Sequence, residues 1–197
     1  MITTIAILAG GQSRRMGTDK SFVSLGDRPL IAHVVERVSA LALPTIVIAN
    51  DQDPYRFLDL PIFSDLVPGK GSLGGLYTAL YHSATTHTLC VACDMPCLNP
   101  ALLRYLIEQS QDYDAVIPRL DGQPQPLHAV YHKTCLPLIA QQVASDRLKV
   151  REFFPLINAR FVDEDELRAV DPRLASFINV NTPEALAALQ NSDDPCA

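Results

Sequence analysis

The residues best suited to chemistry lie near the start of the chain, where a short apolar run leads into a loop of glycines and cations. Residues 5–8 are apolar and partly β-branched, which is typical of a buried strand. Gly10 and Gly11 end the run, and glycine lets backbone N–H groups approach an anion closely. The cations that follow are Arg14, Arg15 and Lys20. A strand, a glycine loop and cations in this order predict a site for the phosphates of a nucleotide.

The glycine loop matches neither of the two most familiar phosphate-binding patterns. A Walker A sequence needs Gly-Lys-Ser or Gly-Lys-Thr after four intervening residues, and a dinucleotide-binding fold needs Gly-x-Gly-x-x-Gly. Here Gly10 and Gly11 are followed by Gln12 and Ser13 and then by arginine. The loop therefore indicates another class of nucleotide-binding protein.

This segment resembles the signature of the molybdenum cofactor guanylyltransferases, roughly Leu-Ala-Gly-Gly-x-Ser/Ala-x-Arg-Met-Gly-x-x-Lys, within the wider class of nucleotidyltransferases. The matching residues are Leu8, Ala9, Gly10, Gly11, Arg15, Met16, Gly17 and Lys20. Two glycines after Leu-Ala favour the guanylyl branch, since the related cytidylyltransferases more often read Leu-Ala-Ala-Gly. The resemblance resumes at Asp94-Met95-Pro96 and at residues 179–184, Asn-Val-Asn-Thr-Pro-Glu, so it covers nearly the whole chain.

Transfer of a nucleotidyl group needs neutralised phosphate charge, a metal that aligns the phosphates, and an acceptor phosphate in line with the α-phosphorus. Asp94 is the candidate metal ligand, because a carboxylate at the end of a buried strand suits Mg²⁺ held by one or two carboxylates and phosphate oxygens. Lys20 is a mobile charge for β- or γ-phosphate oxygens, and Arg15 has a planar fork for a departing pyrophosphate. We predict that these three residues are catalytic. The alternatives are a turn cap for the aspartate and a solvated loop for the cations.

Asn50 and Asp65 match the positions that contact the guanine nucleotide in the family that the chain resembles, so they are the candidates for recognition of the base. One carboxylate can accept hydrogen bonds from both N1–H and N2–H of guanine, a pair of donors that adenine does not present. Asp65 is therefore predicted to select guanine, and its alternative role is to cap a turn or helix. The residues that the resemblance implies for nucleotide binding are Leu8, Ala9, Gly10, Gly11, Lys20, Asn50, Asp65 and Asp94.

The chain departs from the family in its second glycine segment. The family usually reads Gly-Pro-Leu-Ala-Gly there, whereas residues 71–75 read Gly-Ser-Leu-Gly-Gly and lack the proline. We expect a flexible loop over residues 69–75, whose backbone contacts the edge of the base, and a helix from Leu76.

Residues 125–131 and 145–151 occupy the region that faces the pterin substrate in similar proteins. Arg147, Lys149 and Arg151 could meet the phosphate of an anionic acceptor, or they could form a solvated helix face.

His128 and His132 are four residues apart and suggest zinc, but Ala-Val-Tyr between them favours a strand. In a strand this spacing places them roughly 13 Å apart, too far to share one ion. We expect His128 to line a pocket or to satisfy a hydrogen bond in the core.

Alternating strands and helices must position these residues. Strands are predicted over residues 5–8, 45–50, 63–65, 88–92, 113–117, 127–131 and 177–180. Helices are predicted over residues 29–41, 76–81, 99–110 and 134–144 and from residue 182 onward. The alternation indicates a Rossmann-like, doubly wound α/β fold with a mostly parallel sheet in three α/β/α layers. The loop at 9–20, Asn50, Asp65 and Asp94 would then share a crevice at the carboxyl ends of the strands.

Length and composition fit one nucleotidyltransferase domain over residues 1–197, with a nucleotide-binding half at about 1–118 and an acceptor-binding half at about 119–190. The chain has 197 residues and is 48% hydrophobic, which is enough for a core. Its formal net charge of −6 argues against nucleic-acid or anionic-membrane binding. The first apolar run is too short to span a membrane, and Arg14 and Arg15 follow it rather than precede it as in an export signal. We expect a cytoplasmic protein.

Cys90, Cys93 and Cys97 crowd into one segment that could be mistaken for a metal cluster. Side chains three apart in a strand point to opposite faces, so Cys90 and Cys93 cannot easily hold one ion. We expect small buried thiols in a reducing compartment.

The resemblance implies Mg²⁺-dependent transfer of GMP from GTP to a molybdopterin or molybdenum cofactor phosphate, with release of pyrophosphate. The product, a guanine dinucleotide cofactor, would pass by contact to cofactor-insertion or acceptor enzymes. One alternative keeps the fold but changes the base or acceptor, as in a cytidylyltransferase or a sugar-phosphate nucleotidyltransferase. Another is a non-catalytic nucleotide-binding protein that delivers a cofactor.

Overall fold

The computed structural model describes residues 2–9, 20–191 and 196. Gly10, Gly11 and Arg15 of the glycine loop lie outside these ranges, and their roles stay predictions.

Ten strands and six helices lie within the described residues. The strands are β1 (Thr3–Leu8), β2 (Ser24–Leu25), β3 (Arg28–Pro29), β4 (Thr45–Ile48), β5 (Ile62–Phe63), β6 (His87–Ala92), β7 (Ala115–Leu120), β8 (Gln123–Pro124), β9 (His128–His132) and β10 (Ala159–Val162). The helices are α1 (Leu30–Ser39), α2 (Gly71–His82), α3 (Pro100–Glu108), α4 (Leu136–Ala144), α5 (Glu164–Val170) and α6 (Pro183–Gln190).

The main sheet has the strand order β10-β7-β9-β6-β1-β4-β5, with β8 paired to β7. β1 pairs in parallel with β4 and β6, β4 with β5, and β10 with β7. β9 alone among the strands on this path runs antiparallel to its neighbours. The predicted mostly parallel α/β sheet is confirmed.

Helices cover both faces of this sheet. Ile5 and Ile7 pack against α1, α3 and α5 on one face, and Ala6 and Leu8 pack against α2 and α4 on the other. Successive residues of a strand point to opposite faces, so a strand covered on both sides must be apolar throughout. All six residues of β1 are buried accordingly. The three-layer arrangement that the sequence predicts is confirmed.

The parallel register brings the ends of three strands to one edge of the sheet. Leu8 pairs with Ala92 and Ile48 pairs with Phe63. Asn50 and Asp65 are therefore each two residues beyond a paired position, and Asp94 is likewise two beyond its own. This register places them at the carboxyl edge, where open α/β sheets bind ligands.

The predicted flexible loop over residues 69–75 is mostly wrong, because α2 begins at Gly71. Two of the three glycines in its first turns, Gly74 and Gly75, serve close packing. A Cβ on Gly75 would lie 3.7 Å from Leu8 Cδ2, and one on Gly74 would lie 2.8 Å from Lys70 Cβ. Small residues here let α2 start close against β1 and against the segment that follows Asp65.

The predicted strand over residues 177–180 is also wrong. Ala175–Phe177 form a single 3₁₀ turn, and the Val180 N–H donates to the Asp94 carbonyl oxygen at 2.9 Å. The predicted final helix is confirmed, since the Thr182 side chain accepts a hydrogen bond from the Ala185 N–H and caps α6.

The cysteines follow the expectation only in part. Cys90 and Cys135 are buried thiols, and burial raises the pKa of both, that of Cys135 to about 12. Cys97, by contrast, forms a disulfide with Cys196, so the prediction of a free thiol there is wrong. The two sulfurs are 99 residues apart in sequence, a pairing that no local pattern indicates.

In the part of the chain that the structure describes, no helix combines the length and the apolar character needed to cross a membrane.

Candidate active site

Lys20, Asp94 and Asn181 come together from three distant parts of the chain. Lys20 opens a 3₁₀ turn after the glycine loop, and its Nζ donates a hydrogen bond to Asn181 Oδ1. Its positive charge lowers the pKa of Asp94, which places the ammonium group within electrostatic range of the carboxylate. The structure thus brings two of the predicted catalytic residues together. Asn181 has no predicted role from sequence, although its Asn-Val-Asn motif is a usable signal.

Asp94 lies in the turn after β6, where burial disfavours the charged form of its carboxyl. Burial raises the pKa of this carboxyl more than Lys20 lowers it. Asp94 Oδ1 is buried and has no hydrogen-bond partner among the described residues. A bound cation would stabilise the charged form of this carboxyl, so Asp94 fits the role of the predicted Mg²⁺ ligand.

Asp94 offers a single carboxylate to a metal. Within the described ranges, no cluster of three or more His, Cys, Asp or Glu side chains could hold a metal. A single carboxylate suits Mg²⁺, which usually takes one or two carboxylates and completes its shell with water and substrate phosphates.

Asn50 and Asp65 form a reciprocal pair at the ends of β4 and β5. Asn50 Nδ2 donates to Asp65 Oδ2 at 2.9 Å, and the Asp65 backbone N–H donates to Asn50 Oδ1 at 2.9 Å. Burial raises the pKa of Asp65, and the bond from Asn50 opposes that shift. Asn50 therefore fixes the direction of the Asp65 carboxylate, which is what a group that reads a base edge requires.

A cavity of about 830 Å³ opens beside this pair. Its lining from the first 118 residues includes Ala9, Asn50, Tyr55, Asp65 and Lys70. Its lining from the later residues includes Gln123, Pro126, Leu127, Lys149 and Arg151. This volume is typical of a site for a small organic ligand.

Lys20 and Asp94 adjoin the cavity at Ala9 rather than lining it. Ser21 follows Lys20, and its Oγ lies 3.5 Å from the Ala9 carbonyl oxygen. Cys93 precedes Asp94, and its N–H donates to the Leu8 carbonyl oxygen at 3.2 Å. The Asn50–Asp65 pair and the Lys20–Asp94 pair thus flank the end of β1.

The three cations of the predicted acceptor patch separate in the structure. Lys149 and Arg151 line the cavity, whereas Arg147 is not among its described lining residues. Asp146, next to Arg147, forms an ion pair with Lys70 Nζ at 2.9 Å. The ion pair joins the segment after Asp65 to the segment that carries Lys149 and Arg151.

The strand predicted around His128 and His132 is confirmed as β9. His128 is fully buried, with its ring centroid 4.5 Å from that of Phe177, and it does not line the cavity. Burial lowers its pKa to about 4, so the ring is neutral at physiological pH. The prediction that His128 lines a pocket does not hold for the 830 Å³ cavity, where Leu127 takes that place.

Comparison with known proteins shows the family of this chain. A probable molybdenum cofactor guanylyltransferase of Pelotomaculum thermopropionicum is 39% identical over 93% of this chain and 89% of its own. Another from Carboxydothermus hydrogenoformans is 34% identical over 91% of each chain. The crystal structure of molybdopterin-guanine dinucleotide biosynthesis protein A from Archaeoglobus fulgidus matches with a TM-score of 0.83 and 30% identity, over 94% of this chain and 95% of that one. The model of the MobA-like NTP transferase domain matches residues 5–157, and this chain therefore belongs to the MobA-like NTP transferase family.

Proposed function

We propose that this protein transfers GMP from GTP to the terminal phosphate of molybdopterin or the molybdenum cofactor. The acceptor phosphate attacks the α-phosphorus of GTP, the bond from the α-phosphorus to the bridging oxygen breaks, and pyrophosphate leaves. The product is the guanine dinucleotide form of the cofactor. The observation that carries the proposal is the placement of the Lys20–Asp94 pair and the Asn50–Asp65 pair on either side of the end of β1.

We assign the phosphates to the glycine loop and its flanks. Leu8 ends β1 and Ala9 follows it, and we assign both residues, with Gly10 and Gly11, to the binding of the triphosphate. Lys20 neutralises phosphate charge, and Arg15 holds the departing pyrophosphate. The buried, unpartnered Oδ1 of Asp94 supports its role as the protein's Mg²⁺ ligand. Mg²⁺, when bound, withdraws charge from the phosphate oxygens and orients them.

We assign the base to Asp65, which accepts the N1–H and N2–H groups of guanine while Asn50 holds its carboxylate in place. This contact selects guanine, because cytosine and adenine do not present two adjacent donors to one carboxylate. The wrong base would leave the half-buried Asp65 carboxylate with the bond from Asn50 but without the two guanine donors, which costs free energy.

We place the acceptor on the far side of the same cavity. Residues 1–118 would hold the nucleotide and residues 119–190 the pterin, within one domain. The position of Lys149 and Arg151 in the cavity lining supports this division, since two cations suit an anionic acceptor.

Two other functions fit the site less well. A cytidylyltransferase or sugar-phosphate nucleotidyltransferase would share the phosphate site, but a carboxylate aimed at the base favours guanine. A non-catalytic carrier would not need an unpaired buried carboxylate beside a lysine. We propose the cytoplasm as the site of action, and delivery of the product to acceptor enzymes by contact.

Calorimetric titration with GTP, CTP, ATP and UTP in the presence of Mg²⁺ tests the proposal. We expect GTP to bind and the other three nucleotides to bind much more weakly. Equal affinity for GTP and CTP would remove the guanylyl assignment and leave only the nucleotidyltransferase fold.

A further inference from the structure

Tyr55 is a buried tyrosine in the connection between β4 and β5. It belongs to the 3₁₀ segment Asp53–Leu58, and only 1% of its surface is exposed. Its ring packs against Phe22, with 4.8 Å between the ring centroids. Packing explains the ring but not the hydroxyl group, because phenylalanine would fill the same space. A buried hydroxyl needs a partner, so the partners it has are informative.

The Tyr55 hydroxyl meets the two flanks of the glycine loop. It lies 2.9 Å from Ser21 Oγ and 3.1 Å from the Ala9 carbonyl oxygen, and it can donate its proton to either. The Ser21 hydroxyl in turn donates to Cys93 Sγ at 3.2 Å. One phenol therefore joins segments that are 34 and 46 residues away in sequence.

Each partner is next in the chain to a residue of the proposed active site. Ala9 precedes the glycine loop, Ser21 follows Lys20, and Cys93 precedes Asp94. Tyr55 also lines the cavity beside the Asn50–Asp65 pair. The hydroxyl thus stands where the base side and the phosphate side of the site meet.

We propose that Tyr55 is a positioning residue, whose hydroxyl acts through Ala9, Ser21 and Cys93 to hold Lys20 and Asp94 at a fixed spacing from the base-reading pair. The inference rests on the proposed function. Misplacement of a charged group by a fraction of an ångström weakens transition-state stabilisation, so the tether affects transfer more than it affects folding.

Tyr55→Phe removes the hydroxyl and keeps the ring. Tyr105→Phe is the matched control, since the Tyr105 hydroxyl donates to Glu166 Oε2 at 3.0 Å on α3, away from the site. We expect both variants to lose a similar amount of thermal stability. Only Tyr55→Phe should lower kcat/KM for GTP, by about tenfold or more, with an unchanged KM for the pterin acceptor.

Ser21→Ala supplies a second test, because it removes the partner instead of the phenol. If the two hydroxyls act as one unit, the double variant with Tyr55→Phe should lose little more activity than either single variant. Full additivity, or equal kinetics for Tyr55→Phe and Tyr105→Phe, would show that Tyr55 only packs the core.

Amide hydrogen exchange tests the tether without any nucleotide. The N–H groups of Ala9, Val23 and Cys93 donate to backbone carbonyl oxygens of Ile48, Lys20 and Leu8, at 2.9, 3.1 and 3.2 Å. We expect all three to exchange faster in Tyr55→Phe than in Tyr105→Phe. A wild-type protein that failed to transfer GMP would refute the proposed function but would leave this comparison intact, and equal exchange in both variants would overturn the tether.

Discussion

At Asp94, the charged carboxylate that metal binding requires lowers the stability of the fold. Its burial disfavours the charged form, and the nearby Lys20 offsets only part of that cost. A carboxyl whose pKa is raised in the folded state binds protons more tightly there than in the unfolded chain. Its contribution to stability is therefore favourable at low pH and is lost as the pH rises through the raised folded pKa. A bound cation would offset this cost of the charged form.

Asp94→Asn should therefore separate activity from stability. We expect GMP transfer to fall by 100-fold or more, about 2.7 kcal/mol of barrier, while the ligand-free protein melts at the same or a higher temperature at pH 7. The difference in stability from the wild type should shrink as the pH falls toward the raised pKa of Asp94. Asp112→Asn, at an exposed position, is the control. Near-native release of pyrophosphate by the Asp94 variant would place the metal elsewhere.

The cations divide into two groups whose effects on kinetics should differ. Lys20→Ala should weaken GTP binding, slow transfer or both, whatever acceptor is offered. Lys149→Ala and Arg151→Ala should raise the KM for the pterin and leave GTP affinity intact, because these residues line the cavity and we assign them to the anionic acceptor. Arg147→Ala should resemble the wild type.

Calorimetric GTP binding and transfer rates at varied pterin concentration, measured on each variant, check this division. If Lys149→Ala and Arg151→Ala matched the wild type in both assays, the pterin would have to bind around Gln123, Pro126 and Leu127 instead.

At the scale of the elements, the sequence predicts well wherever a strand is buried on both faces. Continuous apolar runs place β1, β4 and β6 to within about two residues, because both layers of helices exclude polar side chains from them. Parallel pairing then brings Asn50, Asp65 and Asp94 to one edge, as the sequence predicts.

Elements held by tertiary contacts escape such prediction. β10 carries Arg160, whose charge is paired with Glu166 of the following helix at 2.8 Å, and neither segment shows a clear apolar period. Asn181 reaches the site only because the segment after Phe177 hydrogen-bonds to the turn at Asp94. The start of α2 was misplaced because glycine favours loops in general, and only the close approach to Leu8 explains it here.

The first turn of α2 offers a test of this corrected boundary. Ser72 is the second residue of the helix, where a backbone N–H has no partner within the helix and proline is tolerated. Ser72→Pro restores the family's proline and should stabilise the protein by about 0.4–1 kcal/mol, because proline restricts the unfolded chain. Chemical unfolding of this variant and of Ser72→Ala separates the ring from the lost hydroxyl. A Ser72→Pro protein less stable than Ser72→Ala would contradict a helix that begins at Gly71.

At the scale of the whole molecule, the cavity lies between segments from the two halves of the chain, and two kinds of cross-link hold distant segments together. The Lys70–Asp146 ion pair joins the segment after Asp65 to the segment before Lys149, but a partly exposed pair of this kind contributes little stability. The Cys97–Cys196 disulfide ties the end of the chain to the turn that follows Asp94. By closing a long loop it restricts the unfolded chain.

The disulfide predicts a stability that depends on redox conditions. We expect the oxidised protein to unfold at a higher denaturant concentration than the reduced protein. Its free energy of unfolding should be larger by about 2–4 kcal/mol. Cys196→Ser should abolish the difference, whereas Cys135→Ser should retain it. Identical unfolding of the wild type with and without reductant would mean that the bond does not form in solution.

The proposed joining of GMP to a pterin phosphate can be observed as the reaction itself. Purified protein is incubated with Mg²⁺, molybdopterin and either GTP or CTP, and both pyrophosphate and the mass of the pterin product are measured. With GTP we expect one pyrophosphate for each pterin that gains a GMP unit, and with CTP little of either. A cytidylyl adduct formed as readily as the guanylyl adduct would contradict the assignment of guanine. A folded protein that binds GTP but forms no pterin adduct would contradict the transfer reaction.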